Sequence, residues 1–340
     1  MTSATPSGQA AVGVDTPRRI HHGHSAADRV FRGGARGAGL LVLALMAGIG
    51  LFMLSESGIA LDEFGPAFFT ENKWDMETGE LGVSALLLGT ITVAGVAIVI
   101  AVPFALATAL YITEYAPLRS KRTLIAMVDL MAAVPSVVYG LVGLIVLQPA
   151  LVDVARWIHD FFGWIAVLDV PGANPDTTLW NNEAYQYTSS AFIAGVVVSL
   201  MVLPIVASVM REVFSQAPAG ERESALALGG TRWGVVRSVV LPFGKGGVIG
   251  GTMLGLGRAL GETIAVALII VPAFDLKVRI LENGTITIAA QIINRFGESS
   301  PVQLSALMLA GFVLFAFTLV VNTLAAMVVA RSRSGAATEI

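Results

Sequence analysis

The chain reads Glu223-Ser224-Ala225-Leu226-Ala227-Leu228-Gly229, continues for nine residues, and then reads Val239-Val240-Leu241-Pro242. This stretch has the composition of a soluble helix, yet it lies between two strongly apolar segments. Residues 221–228 favour a helix, and the Gly-Gly pair that follows interrupts it. Loops between packed helices are usually short. We therefore expect two short helices that meet at a glycine elbow and contact a partner protein.

The composition indicates a membrane protein. Of the 340 residues, 55% are hydrophobic and only 13% are charged, whereas soluble domains carry about 25% charged residues. The chain has no cysteine, which excludes disulfides and thiolate metal sites. It also lacks the Gly-x4-Gly-Lys-Ser/Thr phosphate loop. If a nucleotide drives this protein, the nucleotide therefore binds to another polypeptide.

Six apolar stretches are each long enough to cross a bilayer, which takes about 20 helical residues. They cover residues 38–55, 83–112, 124–149, 190–210, 247–273 and 302–330. The predicted fold class is therefore an all-α polytopic membrane protein with six transmembrane helices. No clear cleavage site ends the first stretch, so we interpret it as an uncleaved anchor.

Positive charge predicts the orientation of these helices. Fifteen arginines and lysines fall on one side of the predicted membrane: Arg18, Arg19, Arg29, Arg32, Arg36, Arg119, Lys121, Arg122, Arg211, Arg222, Arg232, Arg237, Lys245, Arg331 and Arg333. Five fall on the other side: Lys73, Arg156, Lys277, Arg279 and Arg295. Cytoplasmic loops carry the excess of such residues. Both termini and the loop at 211–245 are therefore predicted to be cytoplasmic.

The predicted organisation begins with a disordered cytoplasmic leader over 1–36, a transmembrane helix over 37–56 and an outer loop over 57–82. A core over 83–331 contains the other five helices and the 211–245 loop, and a cytoplasmic tail covers 332–340. An outer segment over 151–189 contains apolar residues at helical spacing on one face: Val154, Trp157, Ile158, Phe161, Phe162 and Ile165. We expect this amphipathic helix to lie in the outer membrane interface or to plug the outer mouth of the bundle.

An arginine and a glutamate lie inside the fifth apolar stretch. At 1.5 Å per residue, Arg258 lies roughly 16 Å from Gly247, about halfway through a ~30 Å bilayer core. Charges at this depth are costly and normally face a cavity or a partner. Arg258 and Glu262 continue the helical spacing of a row of glycines, Gly247, Gly251 and Gly255. Small residues mark close helix contact, so both charges are predicted to point into the bundle.

Two roles are open for this charged pair. The planar guanidinium of Arg258 suits a phosphate-type oxyanion, and Glu262, one turn away, would neutralise it when no substrate is bound. Glu262 would also accept a hydrogen bond from protonated phosphate, which fully deprotonated sulfate has no proton to donate. The alternative is a structural ion pair between residues i and i+4. Thr263 follows directly and joins the candidate substrate path.

The third apolar stretch is interrupted by Pro135, which frees backbone groups that a neighbour or a cavity must satisfy. Ser136 and Tyr139 are therefore candidate residues of the same substrate path, although a proline needed only for helix shape accounts for the pattern equally well. Asp129 is expected to have a structural role. Its predicted partner is another subunit or one of three nearby basic residues, Arg119, Lys121 and Arg122.

The spacing Glu-x-Ala-x3-Gly-x9-Val-x-Leu-Pro resembles the cytoplasmic coupling loop, or EAA loop, of ABC importer permeases. Ser224 and Val239 depart mildly from the usual Ala and Ile. Residues 246–263 and 129–141 are similar to the permeases of phosphate ABC importers, and the likeness covers most of 35–330. The resemblance implies a type I (MetI-like) permease fold. It also implies a set of ATPase-coupling residues: Glu223, Ser224, Ala225, Leu228, Gly229, Leu241 and Pro242.

The same resemblance implies the partners of the machine. They are a sister permease PstA, two copies of the ATPase PstB, the phosphate-binding protein PstS and membrane lipid, with no nucleic acid. The chain itself is then no enzyme and carries no cofactor, because ATP and Mg²⁺ bind to the ATPase. The expected function is import of inorganic phosphate by alternating access. Two alternatives stay open: a permease for another oxyanion (sulfate, molybdate or phosphonate), and an ion-coupled secondary carrier or channel.

Overall fold

The computed structural model describes residues 26–75, 79–171 and 185–332. Six helices in this part of the chain are long and apolar enough to cross a membrane: Asp28–Glu56, Ser84–Tyr115, Ser136–Phe162, Ala191–Ser215, Arg232–Leu260 and Pro301–Met327. We refer to them as the first to sixth spans. The prediction of an all-α protein with six transmembrane helices is therefore confirmed.

The chain divides after Ile49 into two compact units. Helix α1 (Ala26–Glu56) begins in the first unit, where its described side chains from Asp28 to Ile49 are all exposed. Because α1 starts at Ala26, the prediction of disorder is wrong for residues 26–36. Helix extension adds one hydrogen bond per residue, and residues 26–32 contain no glycine or proline to oppose it. The leader before Ala26 and the tail after Ser332 lie outside the described residues.

The second unit opens with short elements that lead to the second span. In chain order they are α2 (Gly58–Phe64), a 3₁₀ turn (Gly65–Phe69), the antiparallel strands β1 (Trp74–Asp75) and β2 (Glu80–Leu81), α3 (Ser84–Leu110) and a π turn (Tyr111–Tyr115). Trp74 pairs with Leu81 across the two strands. Both residues are buried, so this hairpin covers apolar side chains at the start of the second span.

The predicted third span, 124–149, is displaced in the structure. Helix α4 (Leu118–Ala133) ends before Pro135, because a proline drives the preceding residue out of the helical region. The membrane-length helix starts after this break. It comprises α5 (Ser136–Val142), a π turn (Gly143–Leu147) and α6 (Gln148–Phe162). The amphipathic helix predicted within 151–189 is therefore the end of the third span, and residues 172–184 of that segment lie outside the described part of the chain.

Helix α7 (Ala191–Ser215), the fourth span, packs along α3 at the centre of the second unit. An alanine recurs at every fourth residue on the buried face of α3: Ala97, Ala101, Ala105 and Ala109. From the α7 side, a Cβ added at Gly195 would lie only 2.5 Å from Val96 Cγ1. Small residues let helix backbones approach closely, so α3 and α7 form a tightly packed pair.

The loop after α7 leads into the fifth span. It contains α8 (Ala219–Ala227), α9 (Arg232–Val235) and a π turn (Val236–Val240), followed by α10 (Leu241–Leu260). The predicted second short helix is wrong as a separate element, because α9, the π turn and α10 form one continuous helix. Pro242 does not end it; this proline comes two residues after the π turn, where the i to i−4 hydrogen-bond ladder is already interrupted. At 29 residues, this helix is about 43 Å long and exceeds a ~30 Å bilayer core.

The predicted fifth span, 247–273, is also interrupted. Helix α10 ends at Leu260, and a new short helix, α11 (Ile264–Ile269), follows three residues later. Residues 270–287 then form a non-helical segment that is held by backbone hydrogen bonds from Ile280 N to Val167 O (3.0 Å) and from Phe192 N to Ile280 O (2.8 Å). The chain ends with α12 (Ile288–Arg295), a 3₁₀ turn (Phe296–Glu298) and α13 (Pro301–Ser332), which contains the sixth span.

Candidate functional site

Helix α8 carries three of the predicted coupling residues, Glu223, Ser224 and Ala225, and none of its residues is buried. Leu226 is 49% exposed, and Leu228, directly after the helix, is 90% exposed. Glu223 is exposed and has no hydrogen-bond or ion-pair partner among the described residues. Exposed apolar side chains beside polar ones mark a surface for another protein. The last two predicted coupling residues lie at the start of the next long helix, where Leu241 is half-buried and Pro242 is exposed.

The predicted glycine elbow is present and has a defined geometry. Gly229 has a φ angle of 84°, and its N–H donates to Leu226 O at 2.9 Å. The N–H of Gly230 donates to Ala225 O at 3.0 Å. These two hydrogen bonds form the Schellman motif, which ends a helix by satisfying its last carbonyl groups. A Cβ at Gly230 would lie 2.5 Å from Ala225 O, so both elbow positions require glycine.

The glycine row of α10 packs against α7, as predicted. A Cβ at Gly247 would lie 2.5 Å from Val213 Cβ, and a Cβ at Gly255 would lie 2.6 Å from Val206 Cγ2. The row continues to Ala259, which is buried, whereas Arg258 is exposed. Residues four apart on a helix are separated by about 400°, or one turn plus 40°. A row of contacts at this spacing therefore shifts about 40° around α10 at each step, and it reaches Ala259 after Gly255 and not Arg258. The prediction that Arg258 belongs to the packed row is therefore wrong.

Arg258 instead lines a cavity of about 880 Å³ beside α10 and α13. Most of the lining is apolar, but Thr318 and Asn322 of α13 add a hydroxyl and an amide. The amide of Asn322 lies beside Gly257, where an added Cβ would be 3.6 Å from Oδ1. Arg258 has no ion-pair partner among the described residues. A free guanidinium with neighbouring hydrogen-bonding groups is suited to hold an oxyanion.

Sequence reasoning missed Asn322, although a signal for it exists. It is an amide inside the apolar stretch 302–330, and polar side chains within membrane spans are rare and usually functional. Its proximity to Arg258 depends on the packing of α10 against α13, which no local pattern reveals.

A second cavity, of about 510 Å³, extends this site towards α12. It shares four lining residues with the first cavity: Met53, Gly261, Gly311 and Leu314. Thr263 lines the second cavity. Arg258 and Thr263, both candidates for the substrate path, therefore border one groove, which we call the Arg258 groove.

Glu262 does not pair with Arg258. The helix that would have placed them one turn apart ends at Leu260, so the four-residue spacing no longer puts both side chains on one face. Glu262 is only 8% exposed, and its Oε1 accepts a hydrogen bond from Ala265 N at 3.3 Å. The predicted ion pair is therefore wrong, and the carboxylate instead caps the start of α11.

The break in the third span lies against α11. A Cβ at Gly140 of α5 would lie 2.8 Å from Ala265 Cα. Tyr139 Oη donates to Met131 O at 2.9 Å and so satisfies a carbonyl at the end of α4. Ser136 is half-buried at the start of α5. The fold thus brings the two helix breaks together, but neither Ser136 nor Tyr139 lines the Arg258 groove.

Asp129 has the structural role that was predicted, but with a different partner. Its Oδ1 lies 3.8 Å from Nη2 of Arg211, which links α4 to α7. The predicted ion pair with Arg119, Lys121 or Arg122 is wrong, because the packing of α4 brings the Asp129 carboxylate next to Arg211 near the end of α7.

Comparison with known proteins supports this architecture. Residues 101–334 match the family of binding-protein-dependent transport system inner membrane components. The phosphate transport system permease protein PstC 2 of Mycobacterium tuberculosis is 40% identical over 302 residues, which cover 88% of this chain and 90% of that protein. PstC of Mycobacterium leprae is 39% identical over 330 residues, covering 96% and 97%. PstC of Xylella fastidiosa is 38% identical over 291 residues, covering 85% and 86%.

Solved structures show the same fold. A bacterial ABC transporter involved in the import of the acidic polysaccharide alginate aligns with a TM-score of 0.53 at 17% identity, covering 89% of this chain and 99% of that one. The alginate transporter in complex with an alginate-bound periplasmic protein aligns with a TM-score of 0.55 at 16% identity, covering 88% and 95%. Identities this low support the permease fold alone. Together with the closer relatives, they confirm the predicted resemblance: the chain belongs to the family of binding-protein-dependent transport system inner membrane components and, within it, to the PstC phosphate transport system permeases.

Proposed function

We propose that this chain is the permease subunit of an ATP-driven importer that moves inorganic phosphate across the bacterial plasma membrane by alternating access. The observation that carries the proposal is Arg258, an exposed guanidinium without a described counterion, in a groove inside a membrane protein. A cation in such a place normally faces a partner or a water-filled path, and it marks a route for an anionic substrate. Phosphate supplies one, because its oxygens match the two parallel N–H donors of arginine.

The substrate path runs along the Arg258 groove. Arg258 attracts the anion, and Thr263 and Asn322 offer hydrogen bonds on either side of it. Glu262 acts from behind the groove: by capping α11 it holds Thr263 at the wall. Ser136 and Tyr139 support the same region, because their helix packs on α11. One arginine supplies little charge for a phosphate ion, so we expect the sister permease to add a basic residue.

We infer the partners from the likeness to the PstC relatives, and the exposed coupling surface supports a contact with an ATPase. The chain pairs with the sister permease PstA, two PstB ATPases dock on the two permeases, and PstS delivers phosphate. Helix α8 enters a cleft of the ATPase with Glu223, Ser224 and Leu228 outermost. ATP and Mg²⁺ bind to the ATPases, so this subunit transmits the energy of hydrolysis without catalysing it. The positive-inside pattern supports a cytoplasmic location for both termini and for α8.

Uptake by the reconstituted four-component complex tests this function. With PstS outside the vesicles and ATP inside, we expect phosphate uptake that requires ATP and resists excess sulfate. Arg258→Ala should lower uptake by about tenfold or more, since a hydrogen bond to a charged group contributes about 1.5–3 kcal/mol. Arg258→Lys, which keeps the charge but loses the planar fork, should retain part of the activity.

Three results would contradict the proposal. Uptake without ATP would indicate a secondary carrier or channel. Preferential uptake of sulfate would indicate a permease for another oxyanion. Normal uptake by a fully assembled Arg258→Ala complex would show that Arg258 is not part of the substrate path.

A further inference from the structure

An ion pair attaches the coupling helix α8 to the second span. Nη1 of Arg222, in α8, lies 3.0 Å from Oε1 of Glu114, in the π turn that ends the second span. Their side chains are 23% and 11% exposed, respectively. Solvent and salt screen such a sheltered pair much less than an exposed one. Neither residue was identified from the sequence as a coupling residue, because 108 positions separate them.

The same arginine also holds the end of α7. Its Nη2 donates to Phe214 O at 2.6 Å. The last four carbonyls of a helix lack partners within the helix, and the fourth residue after Phe214 is Pro218, which has no N–H to offer. A cation beside a helix C-terminus is also favourable. One side chain therefore joins α8, the fourth span and the second span.

Arg222 faces the membrane-embedded part of the chain, and the residue after it faces outward. Glu223 is exposed and unpaired within the described residues, on the surface that we assign to the ATPase. Helix α8 lies between a turn at Pro218 and the glycine elbow at Gly229, and it buries none of its own residues. Its main packing contacts are with α9 and the following π turn, both at the start of the fifth span. Its charged link to the second span is the Arg222–Glu114 pair.

We propose that the Arg222–Glu114 pair transmits the movement of α8 to the second and fourth spans, so that breaking it uncouples ATP hydrolysis from transport. This inference rests on the proposed function. A helix bounded by two turns pivots easily. When the ATPase moves α8, that movement reaches the second and fourth spans through side chains that contact both α8 and those spans. With the pair intact, displacement of α8 moves the α3–α7 core. Without Glu114, α8 loses its charged link to the second span and keeps only the hydrogen bond from Arg222 to Phe214 O; without Arg222, it loses both links.

The test measures phosphate transported per ATP hydrolysed in the complete reconstituted complex. Glu114→Gln and Arg222→Gln should each bind the ATPase and hydrolyse ATP, but the transport ratio should fall about threefold or more. Mutations along a coupling network change coupling by about 0.5–2 kcal/mol, equivalent to roughly two- to thirtyfold. Arg222→Lys, which keeps the charge, should restore part of the ratio. Asp129→Asn is the matched control, because it breaks a neighbouring ion pair of α7 that does not involve α8, and it should leave the ratio unchanged.

Removing one partner of a sheltered ion pair leaves an unpaired charge that destabilises the fold. The double variant Glu114→Gln/Arg222→Gln leaves no such charge and keeps the proposal testable if a single variant fails to assemble. Its ratio should also be low. A wild-type ratio in the double variant, or a parallel loss of uptake and hydrolysis, would overturn the linkage and leave a structural role. Absence of ATP-dependent phosphate uptake in the wild type would instead overturn the proposed function.

Discussion

Helices α8 and α10 are neighbours in the chain but are held in place in opposite ways. Helix α8 buries no residue and is attached to the second span through one arginine. Helix α10 buries a row of small residues, Gly244, Gly247, Gly251, Gly255 and Ala259, against the centre of the bundle. Close backbone contact makes α10 hard to displace from α7. The difference shows how the chain combines a rigid transmembrane helix with a surface left open for a partner.

The largest expected effect is a loss of stability when the buried glycine row of α10 is filled. Gly247→Val places a branched side chain where a single Cβ would already lie 2.5 Å from Val213. Overpacking of this kind destabilises a protein by about 1–3 kcal/mol, which thermal unfolding of the purified complex measures. Gly250→Val, on the same helix but with nothing within 4 Å of its added Cβ, is the control. Equal stability of the two variants would show that α10 is not held by its glycine row.

At the exposed surface around α8, we expect a substitution to weaken ATPase binding without lowering the stability of the permease. Leu228 is 90% exposed in the isolated chain, and burial of a leucine side chain contributes about 1.5–3 kcal/mol. Leu228→Ala should therefore weaken ATPase binding by about tenfold or more in a titration of the permease pair. Unfolding should change by no more than about 0.5 kcal/mol. Leu319→Ala, an equally conservative change on α13 away from the loop, should leave ATPase binding intact; if it does not, the surface is wrongly assigned.

A smaller effect is expected at the wall of the Arg258 groove that α13 provides. Asn322→Ala should lower phosphate uptake by about two- to tenfold, which corresponds to one hydrogen bond of about 0.5–1.5 kcal/mol. The neighbouring Thr323→Ala serves as control, because the Thr323 hydroxyl donates within its own helix to Leu319 O. Transport assays in vesicles compare the two. Unchanged uptake in Asn322→Ala would show that Asn322 does not bind the anion and that the anion contacts only the α10 side of the groove.

The smallest effect is expected at Glu262. The amide oxygen of glutamine can replace the carboxylate as acceptor for Ala265 N, so Glu262→Gln should keep uptake within about twofold and stability within about 0.5 kcal/mol. Glu262→Ala removes the cap and should cost about 1 kcal/mol of stability. A large loss of phosphate uptake in Glu262→Gln, with normal assembly, would support the original hypothesis that this carboxylate recognises a proton on the substrate.

The two helix breaks show where prediction from sequence loses accuracy. Pro135 predicts an interruption of the third span, yet the predicted span begins about twelve residues too early, because residues 124–134 are apolar apart from Asp129 and join the apolar run after Pro135. No proline marks the break after Leu260, and Gly261 is one of many glycines in that stretch. A helix end inside an apolar run depends on contacts with neighbouring helices, here between α5 and α11.

The sequence by itself determined the number of spans, the coupling loop with its glycine elbow, and the glycine row of α10, and it predicts the orientation of the spans. Each of these depends on local properties: hydropathy, charge count, helix propensity and the steric freedom of glycine. Only the tertiary structure decided that Arg258 faces a groove beside Asn322, that Glu262 caps α11, and that Arg211 and Arg222 bind carboxylates far away in sequence. Those outcomes depend on where helices end and at what angle they cross, which is set by the packing of the whole bundle.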